Sequence, residues 1–425
     1  MEKIQVIRGM RDILPGEVEW WQRMERELGE VLSRYGYKEI RTPILEQTAL
    51  FKRSIGEETD IVEKEMYTFQ DLDGSFLTMR PEGTASAVRS YVENSQWIKE
   101  PTSRWYYVGP MFRHEKPQKG RFRQFFQIGA ELLGAKEPAA DVELIDLMVE
   151  CVSALGLKGP SLQLNSLGCA ACRPGYRGQL MAYLEQHQKT LCENCNRRMT
   201  HNPLRVLDCK VEACSQVAEG APRMVEALCP ECAEHFRAVR LGLDTLGVAH
   251  SLNHRMVRGL DYYTRTTFEL LADGLGAQNA VAAGGRYDGL VSELGGPEMP
   301  AVGFAAGLDR ILLKLMELID KPVEPPLVFL VTRGEVGWKA SLSIMQALRR
   351  GGLAVQSDVR QGNMKGQMKR ADKVGARFVV LIGEDEIASG TVTIKDMAAA
   401  EDSPDKQFQV KNTELLTTLE KRLGR

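Results

Sequence analysis

Eight of the chain's nine cysteines lie between Cys169 and Cys232, in a stretch whose composition breaks from what flanks it on both sides. Cys169-x2-Cys172 is followed after nineteen residues by Cys192-x2-Cys195, and Cys209-x4-Cys214 is followed after fourteen by Cys229-x2-Cys232. The opening MEKIQVIRGM has no apolar core of a signal peptide, so a cytoplasmic location is the default. Thiols clustered in a reducing compartment argue for metal ligation over disulfides. Cys169, Cys172, Cys192 and Cys195 fit a four-cysteine zinc pattern, and Cys209, Cys214, Cys229 and Cys232 nearly so, predicting two structural Zn2+ sites. Pairing across these quartets, or a single metal with the other thiols buried, fits the same spacing. Strand-like sequence precedes the stretch at 161–166 and resumes, rich in glycine, from about 252 to 307. Residues 168–246 therefore read as a mainly helical, Cys-rich insertion interrupting one sheet domain.

At 425 residues the chain exceeds one ordinary core. The formal net charge of -2 means that any nucleic-acid contact must rely on local basic patches. The longest solid apolar runs, LVFLV at 327–331 and FVVLI at 378–382, suit buried strands and are far too short to span a membrane. Trp21, Met24, Leu28, Val31 and Leu32 recur at helical spacing between about 17 and 35. KEIRTPILEQ is extended, and FQDLDGSFLTMRPEGT reads as a hairpin turning at Asp73-Gly74 before a helix from about Thr84 to Val92. RWYYVGPMFRHE and RFRQFFQIGAEL read as two strands joined by the basic loop KPQKG, with Arg121, Arg123, Phe125, Gln127, Gly129 and Glu131 on one face. A large antiparallel sheet carrying functional groups on one face follows, giving an α+β domain over 1–320. KPVEPP at 321–326 is a proline-rich linker. From 327 to 425, VFLVT, a helical 337–350, VQSDV, a helical 364–375, FVVLIG and TVTIKD alternate as an α/β domain.

Several runs carry chemistry. In Phe112-Arg113-His114-Glu115, a guanidinium leaving a strand beside a basic loop suits an oxyanion, Glu115 suits an exocyclic amine, and Phe125 on the return strand offers a ring for stacking a base. The run alone equally fits a hairpin with a solvated turn. In Arg80-Pro81-Glu82-Gly83-Thr84, a carboxylate can hold an ammonium where strand becomes helix, although by itself this is a good helix start. AVAAGGRYDGL at 280–290 and AVGFAAGLDR at 301–310 let a backbone or a ligand approach closely. Arg310 opposes the dipole at the start of its helix, which an anionic or aromatic ligand explains better than helix stability does. No Walker A, strand-borne GxGxxG or GxSxG sequence is present. Any nucleotide must therefore be held by arginines on a sheet.

FRHE, the RFRQF return strand, GLDR and the ILEQT segment with its proline together resemble motifs 2, 3 and 1 of class II aminoacyl-tRNA synthetases. RMVRGLDYYTRTTFE at 255–269 and AAGGRYDG resemble the two signature segments of the histidyl-tRNA synthetase family, and the likeness runs from about Val6 to the C-terminus. That resemblance implies activation of L-histidine with ATP and Mg2+ to histidyl-adenylate, then transfer to the terminal adenosine of tRNA(His), by a homodimer formed through the segment around Pro43. It implies catalytic roles for Arg258 and Arg113. It places Glu82, Gly83, Thr84, Arg113, Gln127, Glu131, Arg258, Tyr262 and Tyr263 around histidine, with Glu131 and Tyr263 on the imidazole. Around ATP it places Arg113, Glu115, Arg121, Phe125 and Arg310. Lys116, Lys119 and Arg123 would meet the tRNA acceptor end, as would Arg197, Arg198 and Arg205 of the insertion. The C-terminal domain, with Lys365, Lys369, Arg370, Lys373 and Arg377, would bind the anticodon. The cysteines depart from the family, most of whose members need no metal there. Two non-catalytic rivals share the fold: a histidine-sensing paralogue such as the regulatory subunit of ATP phosphoribosyltransferase, and an RNA-binding scaffold. The first characteristically lacks the C-terminal domain, and both are disfavoured by intact arginines at 113, 258 and 310.

Overall fold

Helix Val18–Arg34 buries Trp20, Trp21, Met24, Leu28, Val31 and Leu32 along one face. Helix Pro138–Ala154 packs beside it, burying Leu144, Ile145, Leu147, Met148, Cys151 and Val152, and both contribute to one hydrophobic cluster with Ile128, Phe268, Val302 and Phe304. Gly36, at φ 78°, ends the first helix: the Tyr37 N–H donates to the Leu32 carbonyl at 3.0 Å, a reversal that needs a residue without Cβ. The computed structural model describes residues 3–424 except 58, 119, 158, 273–279, 319–326 and 401. The linker expected at 321–326 and Lys119 thus lie outside the described residues.

The chain divides into two compact units, Met1–Pro322 and Val323–Arg425. The first contains β1 (Lys38–Glu39), β2 (Leu45–Gln47), β3 (Tyr67–Gln70), β4 (Phe76–Met79), β5 (Ser103–Phe112), β6 (Gln124–Leu133), β7 (Ser161–Ser166), β8 (His250–Leu252), β9 (Thr264–Leu271), β10 (Ala280–Arg286) and β11 (Ala301–Gly307). Strands β2, β4 and β3 make a small sheet, and the other eight form one large sheet in the order β1-β5-β6-β11-β10-β9-β7-β8. Its central strands pair antiparallel, while β1 on β5 and β8 on β7 add a parallel strand at each edge. The sheet is mixed, and its antiparallel interior is the part that the alternating strands at 103–133 foretell.

The second strand of that hairpin starts later than its alternation suggests. Arg121 and Arg123 precede β6, which begins at Gln124. An isolated bridge between Gln118 and Arg121 closes a tight turn at Gly120, φ 72°, so the basic loop extends from 113 to 123. Arginines alternating with phenylalanines imitate a strand, but the turn claims the backbone groups that a ladder would need.

Parallel neighbours cannot be joined by a hairpin. Between β7 and β8 the chain makes its crossing through helices Arg173–Gln186, Glu193–His201, Glu212–Glu219 and Pro230–Thr245. Their buried Tyr176, Leu180, Leu184, Met199 and Val217, with Val206 from the 3-10 turn Pro203–Val206, pack with the cysteines into a second cluster. Helix Pro230–Thr245 lies against Pro138–Ala154, with the Val142 methyls pressed on Gly242.

In the second unit, β12 (Leu327–Thr332), β13 (Ala354–Ser357) and β14 (Phe378–Ile382) are parallel, with helices Gly334–Arg350 and Met364–Lys373 as crossovers. β15 (Thr391–Asp396) and β16 (Gln407–Lys411) continue antiparallel, giving the order β13-β12-β14-β15-β16. Helix Leu415–Arg422 buries Leu415 and Leu419 in this unit's core.

Candidate active site

Register explains where the large sheet has room. On β6, Phe125, Gln127, Gly129 and Glu131 share a face, opposite Met111, Gly109, Tyr107 and Trp105 of β5. On the other side, Gln127, Gly129 and Glu131 meet Gly307, Ala305 and Gly303 of β11, which in turn face Ala283 and Gly285 of β10. Long polar side chains therefore stand on one half of the sheet, and small residues floor the other half. The resulting cleft encloses about 920 Å³ of space open to solvent. Glu82, Thr84, Arg113, Glu115, Arg121, Phe125, Gln127, Arg258, Tyr262, Tyr263 and Arg310 all line it.

Glu131 is fully buried and does not itself line the cleft; it lies behind Thr84, which does, at the centre of a polar cluster. Its Oε1 accepts from Thr84 Oγ1 at 2.8 Å and Tyr107 OH at 3.0 Å, and its Oε2 accepts from Tyr287 OH. Burial pushes its carboxyl up to about 8, against the pull of these hydroxyl donors and with added repulsion from Glu82. Gly303 makes the position feasible: a Cβ there would lie 1.7 Å from Glu131 Oε2. Gly83 and Gly129 likewise clear the ring of Tyr107, which a Cβ on either would meet at 2.1 and 2.3 Å. Gly83, included for histidine, thus stands behind the Tyr107 ring.

Glu82 is buried and caps helix Thr84–Glu93: its two oxygens accept the Thr84 N–H at 2.7 Å and the Ala85 N–H at 2.8 Å. Burial raises its pKa above the usual carboxyl range, partly offset by those two N–H donors and by Arg113. Each carboxylate oxygen keeps a second lone pair for a ligand. Gln127 Oε1 and Tyr262 OH are buried without a hydrogen-bond partner among the described residues. The Tyr262, Tyr263 and Tyr287 rings meet one another tilted or edge-on, centroids 4.7 to 6.5 Å apart.

Toward the mouth, Arg113 donates from Nε to the Pro81 carbonyl at 2.8 Å and lies over the Phe125 ring at 5.3 Å. Glu115 accepts from Arg121 at 2.7 Å, with Arg113 3.8 Å away. Arg310 donates to the Ala280 carbonyl at 2.6 Å. Burial, and then the like charge of Arg121, depress the Arg310 pKa. Arg258 pairs with Glu269 and lies over the Tyr263 ring at 5.5 Å, while its buried Nε has no hydrogen-bond partner among the described residues. Burial alone would lower the Arg258 pKa, but Glu269 holds it above the ordinary arginine value. Four guanidinia thus converge on one wall, a layout that favours a polyanion.

Tyr107, Tyr287 and Glu269 are not among the residues the sequence singles out. Tyr287 sits inside AAGGRYDG and Glu269 ends the RMVRGLDYYTRTTFE run, so the signal for both was position within a signature. Tyr107 alternates with Gly109 and Met111 on β5, and only the register with Gly129 assigns it to the site. Arg286, in the same signature, is fully buried and bound to Asp141, Asp288 and the Ala135 carbonyl, so it is scaffold.

The RNA-facing residues fare unevenly. Lys116 is exposed on the loop, whereas Arg123 is half-buried, its stem packed on Gly9 and its Nε 3.4 Å from the Glu115 carbonyl. Arg198 and Arg205 both reach Asp60, at 2.9 and 3.8 Å, so two of the three insertion arginines are engaged inside the unit. In the second unit Lys365, Lys369 and Lys373 form an exposed stripe on helix Met364–Lys373, but Arg377 is paired with Asp396.

The cysteines group as two tetrads, each with its sulfurs within 4.8 Å of one another: Cys169, Cys172, Cys229 and Cys232, and Cys192, Cys195, Cys209 and Cys214. The sequential quartets are thereby corrected to a nested pairing. The first and last CxxC pairs are joined because the helices that carry them return to the same edge of the sheet.

The histidyl-tRNA synthetase family model matches residues 9–311, and the anticodon binding domain model matches 330–422. A histidine–tRNA ligase of Geobacter sulfurreducens is 51% identical over 391 residues, covering 92% of this chain and 94% of that protein. The crystal structure of apo S. aureus histidyl-tRNA synthetase superposes with a TM-score of 0.82 at 35% identity, covering 98% of this chain and 99% of that one. A structure described as an ATP phosphoribosyltransferase regulatory subunit/histidyl-tRNA synthetase from Bacillus halodurans shares the fold, with a TM-score of 0.65 at 21% identity over 90% of this chain and 99% of its own. On these matches, and on the signature segments that line one cleft, the chain belongs to the histidyl-tRNA synthetase family.

Proposed function

We propose that the chain is a histidine–tRNA ligase, which activates L-histidine with ATP, as its Mg2+ complex, to histidyl-adenylate and transfers histidine to the 3′-terminal adenosine of tRNA(His). The carrying observation is Glu131. In its ionised form three hydroxyls occupy three of its acceptor positions and leave the fourth for an imidazole N–H, which would reach it past Thr84 from a cleft whose mouth is lined by arginines. The bare imidazole nitrogen takes a donor from the tyrosine cluster, Tyr262 or Tyr263. Glu82, Thr84 and Gln127 receive the α-ammonium end. A pocket that satisfies both imidazole nitrogens rejects analogues lacking them by roughly 10⁴–10⁵-fold.

Arg113 bridges the histidine carboxylate and the α-phosphate, while Glu115 and Phe125 take the adenine. Arg121 and Arg310 hold the β- and γ-phosphates, and the anion relieves the crowding of their like charges. The carboxylate attacks the α-phosphorus in line and pyrophosphate leaves, so no protein nucleophile is needed. Arg258 stabilises the negative charge that builds up on the α-phosphate, its guanidinium fixed by Glu269. The terminal adenosine hydroxyl then attacks the carbonyl carbon and AMP departs. Lys116, Lys119 and Arg123 meet the acceptor end, and the second unit binds the anticodon.

The chain works in the cytoplasm, and among the described residues no helix is long and apolar enough to cross a membrane. It acts as a homodimer through the segment around Pro43, where Ile44 and Leu45 are each 41% exposed and offer apolar surface to a second copy. The test is ATP–pyrophosphate exchange run with each of the twenty amino acids. Exchange with histidine only is expected. Folded protein that binds histidine yet gives no exchange would favour the non-catalytic sensing paralogue instead.

A further inference from the structure

No step of the proposed reaction uses the two cysteine tetrads, yet their geometry is specific. Zn–S bonds of about 2.3 Å put the sulfurs of a tetrahedral site about 3.8 Å apart. Cys169 Sγ stands 3.6 Å from Cys172 Sγ and 4.0 Å from Cys229 Sγ, too far for a disulfide and right for a shared ion. The Cys229 N–H donates to Cys172 Sγ at 3.1 Å, and the Cys192 N–H donates to Cys214 Sγ at 3.2 Å. Such donors stabilise thiolate. Cys172, Cys192 and Cys229 sit at the N-caps of helices Arg173–Gln186, Glu193–His201 and Pro230–Thr245, where the helix dipole also favours negative sulfur.

We propose that the chain binds two Zn2+ ions in these nested four-thiolate sites, and that the outer ion, held by Cys169, Cys172, Cys229 and Cys232, staples the neck of the insertion to the wall of the histidine pocket. Four protein thiolates leave no coordination position open, so both ions are structural. The outer site lies at the place where the insertion leaves β7 and where its last helix starts back toward β8. From one cysteine pair, Arg173 donates to the Tyr263 carbonyl, and Gly168 accepts the Arg265 N–H at 2.9 Å. Next to it, Leu167 donates to the Arg265 carbonyl at 2.7 Å. From the other pair, Glu231, between Cys229 and Cys232, accepts from Arg265 at 2.6 Å. The Tyr263–Arg265 segment is thus held through its backbone from one pair and through the Arg265 side chain from the other, and a shared ion would lock together two pairs that the Cys229 N–H bond to Cys172 Sγ already brings into contact. The inner ion joins the middle of the insertion to itself. The coupling to histidine rests on the synthetase reading; the metal sites do not.

Metal analysis of the full-length chain, purified without chelator, should give two zinc ions per chain, and Co2+ reconstitution should give the visible bands of tetrathiolate coordination. Cys169→Ser/Cys229→Ser should lose one ion under the nested pairing and both under a sequential one. Cys172→Ser/Cys195→Ser should do the reverse. Alkylation of the native chain with mass-spectrometric readout covers the case of variants that fail to fold: Cys169, Cys172, Cys229 and Cys232 should react as one group. Absence of thiolate-bound metal, or grouping by sequential quartets, would overturn the assignment. In exchange assays the outer-site variant should raise the histidine KM several-fold more than Cys195→Ser/Cys209→Ser does, and equal effects would refute the staple. Two zinc ions with no exchange for any amino acid would sink the synthetase reading and leave the metal sites standing.

Discussion

A carboxyl with no water around it is stable only if its neighbours are arranged for it, and Glu131 shows how many must agree. Thr84, Tyr107 and Tyr287 donate to it, and Gly303 leaves the space it fills. Gly303→Ala places a methyl on that carboxylate. It should cost about 1–3 kcal/mol of stability, read by denaturant unfolding, and raise the histidine KM far more than the ATP KM. The raised pKa has a sign. Burial makes the folded state prefer the protonated form, so the stabilisation is complete below about pH 4.5 and is lost as pH rises through about 8. Glu131→Gln should therefore flatten the decline of Tm across that window; an unchanged slope would mean that another group titrates there. Arg258→Ala removes the cation proposed to face the α-phosphate. It should lower the exchange rate by about 10²–10³-fold with little change in histidine affinity, measured by exchange kinetics and equilibrium binding.

At the scale of elements, helix Val18–Arg34 was legible because its apolar spacing needs no tertiary information. Leu28, 1% exposed, lies in the middle of that face. Leu28→Ala should cost about 2–5 kcal/mol in the unfolding transition of the first unit while leaving exchange kinetics near wild type. The same spacing logic failed where a turn competed with a strand, as at Arg121 and Arg123. β16 is absent from the elements read in the sequence although QFQVK alternates polar with apolar residues, matching its alternation of exposed and half-buried positions, so this edge strand was legible. Signature segments carried most of the candidate site, since Arg113, Arg258, Glu82 and Gln127 are recognisable by motif. Tyr287 and Glu269 lie inside those same segments without being singled out, whereas Tyr107 lies in no signature and its part depends on the register that sets it opposite Gly129. The cysteines teach the same lesson, since spacing suggests that thiols ligate but leaves their connectivity to the path of the helices.

For the molecule as a whole, every residue lining the cleft falls between 82 and 310, inside the first unit. A chain cut after Asp320 should therefore keep histidine-dependent exchange, while its kcat/KM for charging tRNA drops at least about tenfold, as loss of an anticodon contact implies. Residues 327–425, with their own core of Val328, Leu330, Phe378, Val380 and Leu419, should melt cooperatively by themselves in a thermal scan. The parallel pairing of β7 with β8 has a different kind of consequence. Its hydrogen bonds require the chain to travel back along the sheet, but they set no limit on what it carries on the way, and doubling such a path costs only about 0.6 kcal/mol. That edge of the sheet is a socket of free length. A lineage can enlarge, trim or re-equip the appendage plugged into it, with thiols in this chain, while the strands that aim the reacting groups keep their alignment.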